Sequence, residues 1–345
     1  MAEPSGSLVP AFFSEPPLTL LGRDSIIDAK LANKAMKKVL GALLIGCLMA
    51  VPAATQTTKN GSPSPKQTQA PPIHVQVNLE NVLFTVVNKK NQLVPNLSKD
   101  DFRVDEDGKP QKILFFNREN NLPLRIGVLI DTSNSIRERL HFEQQAAVDF
   151  LDDIVRPKED EAFVVGFDVE PVMVQNYTDD VDKLARGIES LQAGGGTGLY
   201  DAIYYACKEK MIYVPTPQPY LRRVLIIVSD GQDNFSEHSR DESLAMAQKA
   251  EAIIYAISTN WTGIPTRGDK VLKFLASETG GRAFFPYKAS DLEADFQRIS
   301  HELRSQYSLA YAIPGYNGAF RKITIKTHEK GLKVLAKTGY FAPAP

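Results

Sequence analysis

Five oxygen-bearing side chains fall at three places in this sequence where strand-like runs end or a helix begins. Asp131, Ser133 and Ser135 follow the apolar run at 126–130, Thr197 sits in the glycine-rich stretch 194–198, and Asp230 follows the apolar run at 224–228. Two carboxylates and three hydroxyls, with no thiol or imidazole among them, make a hard oxygen donor set suited to a magnesium- or calcium-class ion. Each piece alone is weak. Asp-x-Ser-x-Ser also reads as a helix cap followed by a serine-rich turn, and Gly-Gly-Gly-Thr reads as a loop. The combination carries weight because each piece stands just after a strand or just before a helix.

The glycines at 194–198 let a loop approach closely and expose backbone N–H groups. No Gly-Lys-Ser/Thr follows them, so they are not a phosphate-binding loop, and the spacing of a dinucleotide fingerprint is missing. Around this core stand weaker candidates. Asp233 is either an outer carboxylate of the site or a solvated loop residue. Asp201 braces the glycine loop or simply favours a helix N-terminus. Trp261 is placed on the rim beside the site or in ordinary packing. The five histidines show no metal-ligand spacing, and Cys207, in a helical pattern, reads as a small buried apolar residue.

Positioning such a site requires particular elements. Continuous apolar runs at 126–130, 162–167, 224–228 and 252–257 suit strands buried on both faces of a mainly parallel sheet. Helical stripes lie between them: Ile136 to Ile154, Val181 to Leu191, Val271 to Leu275 and Leu292 to Leu303. Residues 172–177 follow strand 162–167 after a short turn and should pair antiparallel at an edge. Strand alternating with helix predicts a doubly wound α/β domain over residues 121–305. Ligands of such sheets bind outside the C-terminal strand ends, so the five oxygens converge if the strands at 126 and 224 are neighbours.

On either side the rhythm is period two, over 73–120 and again over 306–345. The expectation is one small β-sandwich made from both segments, with the α/β domain inserted between its halves. The rival is that each segment flanks the α/β domain separately.

The 345 residues carry 43% hydrophobic and 23% charged side chains, ordinary globular values, and a formal charge of −1. Without a basic excess, nucleic acid is not an expected partner. Residues 1–54 read as a leader. Lys37-Lys38, the apolar run 39–51 and the small residues at 52–54 have the order of a signal peptide, and that run is too short to span a bilayer. The 35 residues before Met36 exceed a usual n-region, so the start is read at Met36, against a long leader or an uncleaved signal anchor. Leu44-Ile-Gly-Cys47 resembles a lipobox and makes Cys47 a candidate lipidation site, although ordinary cleavage after Ala53 or Ala54 suits the continuing apolar run better. Any membrane contact is expected only through such an anchor or lipid. Residues 55–72, rich in Pro, Ser, Thr and Gln, read as a flexible tether.

With these motifs in place, residues 124–305 resemble a von Willebrand factor type A domain, and Asp131, Ser133, Ser135, Thr197 and Asp230 match the positions of its metal-ion-dependent adhesion site. The flanks, including residues 100–108 and 337–343, are similar to those of a group of exported bacterial proteins related to that family. The resemblance implies a bound Mg²⁺, with Mn²⁺ or Ca²⁺ in some members. It implies direct coordination by the serine and threonine hydroxyls and action of one or both aspartates through water. It further implies binding of a partner protein through an aspartate or glutamate, not turnover. The expected function is therefore an adhesion or scaffold module, exported to the periplasm, cell envelope or exterior. Two alternatives stand beside it: a metal-assisted hydrolase using the same acidic crevice, and a regulatory subunit of an envelope assembly complex. Against the hydrolase, the sequence has no Gly-x-Ser-x-Gly elbow and no His-Glu-x-x-His, and a two-metal centre needs more carboxylates than these two.

Overall fold

The computed structural model describes residues 78–119, 121–212 and 221–344. The signal peptide, the Met36 start, Cys47 and the tether at 55–72 lie outside the described residues.

The chain begins with four strands, β1 (Leu79–Val87), β2 (Phe102–Glu106), β3 (Lys109–Gln111) and β4 (Phe115–Glu119). The α/β segment follows: β5 (Leu124–Asp131), α1 (Leu140–Ile154), β6 (Glu161–Phe167), β7 (Pro171–Thr178), α2 (Val181–Glu189), α3 (Leu199–Tyr205) and β8 (Arg222–Ser229). It continues through α4 (Arg240–Lys249), β9 (Ala252–Ser258), α5 (Arg267–Glu278), β10 (Ala283–Phe284) and α6 (Ala289–Leu303). Four strands close the chain, β11 (Gln306–Ala312), β12 (Phe320–Thr327), β13 (Lys333–Ala336) and β14 (Gly339–Phe341).

The central sheet runs β10-β9-β8-β5-β6-β7, parallel throughout except for the edge strand β7. Its strands read as unbroken apolar runs because both faces are covered. Ile126, Val128 and Ile130 point into one cluster with residues of α1, α2 and α6, whereas Leu129 points into a second with residues of α3, α4 and α5. Parallel strands with helices on both faces are the doubly wound arrangement. Strand β5 lies between β6 and β8, and this adjacency places the ends of the 126 and 224 runs side by side.

The flanking segments pair with each other. β1 lies between β11 and β13 in one antiparallel sheet, and β12 pairs with β2 and β14 in another. Phe84, Phe102, Phe116 and Tyr307 meet between them with ring centroids 5.1–6.5 Å apart. The result is a β-sandwich built from residues before and after the α/β segment. The β2–β3 hairpin turns at Asp107-Gly108, with φ of 47° and 78°, the left-handed pair of a type I′ turn.

The structure adds elements that periodicity missed. Helix α4 buries only Ser243, Leu244, Ala247 and Gln248, too little apolar surface to print a stripe. Strand β10 is only two residues long. Among the described residues no helix is long and apolar enough to cross a membrane.

Candidate metal-ion site

The site begins with how β5 ends. Asp131 is the last residue of that strand and fully buried. Its Oδ1 accepts the Ser133 N–H at 2.9 Å, an Asx turn that swings the chain over the sheet edge. Its Oδ2 accepts the Ser229 hydroxyl at 2.7 Å, from the end of the neighbouring strand β8. Burial pushes the Asp131 carboxyl up to about 6, against the pull of the Ser229 hydroxyl and the Ser133 N–H, with the charge of Asp230 adding to the rise.

A 3₁₀ turn at Asn134–Ile136 follows before α1. It brings the Ser133 and Ser135 hydroxyls to 2.9 Å from each other, and Ser135 Oγ donates to Asp230 Oδ2 at 3.3 Å. Asp230 is held by its own loop. The Gln232 N–H donates to its Oδ1 at 2.9 Å and the Gln232 side-chain amide to its Oδ2 at 3.3 Å. The following Gly231 has φ +75°, and a Cβ there would lie 2.3 Å from the Gly268 carbonyl oxygen. Only glycine fits that turn.

Thr197 arrives on the glycine loop, which is bound on both sides. Gly194 N–H donates to the Thr132 carbonyl at 2.7 Å and Asn134 N–H to the Gly195 carbonyl at 3.4 Å. On the other side Thr197 N–H donates to Asn234 Oδ1 at 2.9 Å, and the Thr197 carbonyl accepts the N–H groups of Asn234 and Phe235. Gly195 supplies the positive φ, +66°, that this path needs.

Ser133, Ser135, Thr197 and Asp230 thus line one cleft of about 190 Å³, together with Asn134, Gly195, Gly196, Gln232 and Asn234. Asp131 is not on its wall; it lies beneath, holding Ser133 in place. Among the described residues no group of three or more His, Cys, Asp or Glu side chains gathers to hold a metal ion. A cation here would therefore draw on hydroxyls and waters as well as the two aspartates. The donor set fits one: oxygens only, no lysine or arginine on the cleft wall, and room for the waters that Mg²⁺ retains.

The three weaker candidates sit apart from the cleft. Asp201 accepts the N–H groups of Glu237 and His238, each at 2.9 Å, and faces His238 Nδ1 at 2.6 Å. Asp233 accepts the Tyr200 N–H at 3.0 Å and the Ser236 hydroxyl at 2.6 Å. Both carboxylates staple the segment after β8 to the start of α3, holding the helix that follows Thr197. Trp261 packs edge-on against Phe142 at 6.1 Å with the Arg139 guanidinium 5.5 Å from its ring centre. It lines no part of the cleft.

Sequence reasoning passed over Ser229, Gln232 and Asn234. Ser229 directly precedes Asp230 and was legible as a strand-end hydroxyl. The other two are loop amides whose roles depend on backbone groups that no sequence pattern reveals.

A doubly wound sheet with an oxygen-lined cleft at the C-terminal ends of two adjacent central strands defines the class: an α/β domain with a candidate cation site at the sheet edge. Residues 126–232 match the sequence model of the von Willebrand factor type A domain, and the chain carries a domain of that family. No curated protein matches the chain. Among solved structures, it is similar to the PilB minor pilin of Streptococcus sanguinis at 14% identity and TM-score 0.42, over 53% of this chain and 62% of that one. Similarity to BatB of Bacteroides thetaiotaomicron is 19% with TM-score 0.42, over 53% of this chain and 100% of that one. A third likeness is to proximal thread matrix protein 1 of the mussel byssus, described with a zinc-occupied MIDAS motif. It has 18% identity and TM-score 0.47, over 57% of this chain and 50% of that one. The chain thus spans less than two thirds of the pilin and half of the byssus protein.

Proposed function

We propose that the cleft holds a divalent cation, Mg²⁺ in the first place and Mn²⁺ or Ca²⁺ as alternatives. On this reading the protein is an exported adhesion or scaffold module that binds a protein partner through an aspartate or glutamate side chain. The observation that supports it is the approach of the Ser133 and Ser135 hydroxyls to each other and of Ser135 to Asp230, in one cleft that Thr197 also lines.

Ser133, Ser135 and Thr197 would hold the ion through neutral oxygens, while Asp131 and Asp230 supply charge, directly or through water. When bound, the ion supplies a positive centre with an exchangeable water position, where a carboxylate from outside can coordinate. The chain's own work is to keep that centre electron-poor and open. Neutral hydroxyls do the first, and the short side chains around the cleft do the second. Asp131 is held below the wall by Ser229, which keeps one of the two carboxylates from crowding the entrance.

The hydrolase alternative gains nothing from this geometry, because neither histidine nor cysteine is on the cleft wall. Export rests on the order of charged, apolar and small residues before residue 55.

Isothermal titration of the full chain with MgCl₂, after chelator treatment, tests the proposal. Saturable binding is expected in the wild type and loss of it in Asp131→Ala. Ser135→Ala, at an exposed position with low folding risk, should weaken it strongly. Equal affinity in all three proteins would refute the assignment.

A further inference from the structure

On the first turn of α1 lies a carboxylate the proposed site does not use. Glu143 is 1% exposed, and neither of its carboxylate oxygens has a hydrogen-bond partner among the described residues. An unpaired buried carboxylate is costly to a fold. A glutamate kept in such a place calls for a compensating group.

The start of the helix that carries it is tied to the cleft. Glu143 N–H donates to the Arg139 carbonyl at 3.0 Å, one helical turn back. The Arg139 guanidinium donates to the Ser135 carbonyl at 3.2 Å and to the Thr259 carbonyl. Thr259 in turn donates its N–H to the Ser229 carbonyl at 3.1 Å, and its buried hydroxyl also has no partner among the described residues. Arg139 therefore ties Ser135 of the cleft to the loop after β9, which carries Thr259, and its charge acts on Glu143.

Charge leads to the same place. Burial pushes the Glu143 carboxyl up to about 8, against the pull of Arg139, and the negative charges of Asp131 and Asp230 raise it further. Asp131, Asp230 and the Arg139 guanidinium are thus the charged groups that Glu143 feels. Among the described residues no group of three or more His, Cys, Asp or Glu side chains gathers to hold a metal ion, and Glu143 is not on the cleft wall.

Resting on the cation reading above, we infer that Glu143 is a positioning residue of the site, its carboxylate accepting hydrogen bonds from water on the inner side of the bound ion. A buried water needs two to four polar partners, and the orphaned oxygens of Glu143 and Thr259 are of the kind that meets that need. Outer partners of this sort orient what the ligands hold, and their loss commonly weakens metal affinity 10- to 100-fold.

The test is Mg²⁺ titration and thermal unfolding of the full chain in four forms: wild type, Glu143→Gln, Glu143→Met and Asp131→Ala. Both Glu143 variants should raise the dissociation constant about tenfold or more, and both should raise the melting temperature of the metal-free protein. Affinity and metal-free stability then move in opposite directions, which a merely structural role would not produce. Glu143→Met keeps the volume without polar atoms, so a folding failure of one variant leaves the other to decide. Wild-type affinity in both Glu143 variants, with binding lost in Asp131→Ala, would overturn this inference alone. A lowered metal-free melting temperature in both would overturn it too. If the wild type and Asp131→Ala titrate alike, the cation reading fails and this one with it.

Discussion

The Ser229 hydroxyl donates to Asp131 across 2.7 Å, joining the ends of two adjacent parallel strands below the cleft. This bond is the main brake on the rise that burial imposes on the Asp131 carboxyl. Ser229→Ala should leave the fold intact but raise the Mg²⁺ dissociation constant about tenfold, as loss of an outer partner does. Calorimetry with a parallel melting curve checks this; unchanged affinity would mean Asp131 needs no such support.

Asp201 anchors the chain after β8 with three hydrogen bonds. The backbone N–H groups of His238 and Glu237, and the His238 ring, more than offset its burial and hold its carboxyl below the usual range. Asp201→Ala should cost about 2 kcal/mol in chemical denaturation. Because the folded value is lowered, the Asp201 contribution is present above the ordinary carboxylate value and fades as pH falls through the folded one. The gap between wild type and variant should therefore narrow below pH 4.

Glu143 predicts the opposite slope. Its folded value is raised from 4.5 to about 8, so the folded protein holds a proton that the unfolded chain has released. Its destabilising share is absent below the lower value and complete above the higher. The metal-free wild type should lose stability relative to Glu143→Gln as pH rises from 5 to 8.5. Parallel pH–stability curves would contradict this.

Tyr307 ties the two halves of the sandwich together. Its hydroxyl donates to the Val94 carbonyl at 2.7 Å and accepts the Leu97 N–H at 2.9 Å, while its ring packs on Phe84, Phe102 and Phe116. Tyr307→Phe should cost about 1–2 kcal/mol and Tyr307→Ala about 3–5 kcal/mol in urea denaturation. A null effect of both would mean that the pairing of β11 with β1 and β4 contributes little.

The central sheet was legible because strands buried on both faces print unbroken apolar runs, as at 126–130 and 224–228. That Ser133, Ser135, Thr197 and Asp230 line one cleft was legible only on the condition that the strands at 126 and 224 are neighbours, which the sequence left open. What escaped has physical reasons. Helix α4 lies against the sheet with only Leu244 and Ala247 as buried apolar anchors, although its capping pair Ser239 and Glu242 was present in the sequence. Glu143 reads as a solvent-facing helical glutamate, since nothing local records that the fold buries it. Asp201 and Asp233 looked like loop or cap carboxylates because Glu237 and His238, which bond Asp201, and Tyr200, which bonds Asp233, stand more than thirty residues away.

The most direct measurement is calorimetric titration of the chelator-treated full chain with MgCl₂, wild type beside Asp131→Ala and Ser135→Ala. The account predicts one saturable site in the wild type, none in Asp131→Ala and a strongly weakened one in Ser135→Ala. Identical isotherms for the three proteins would contradict it.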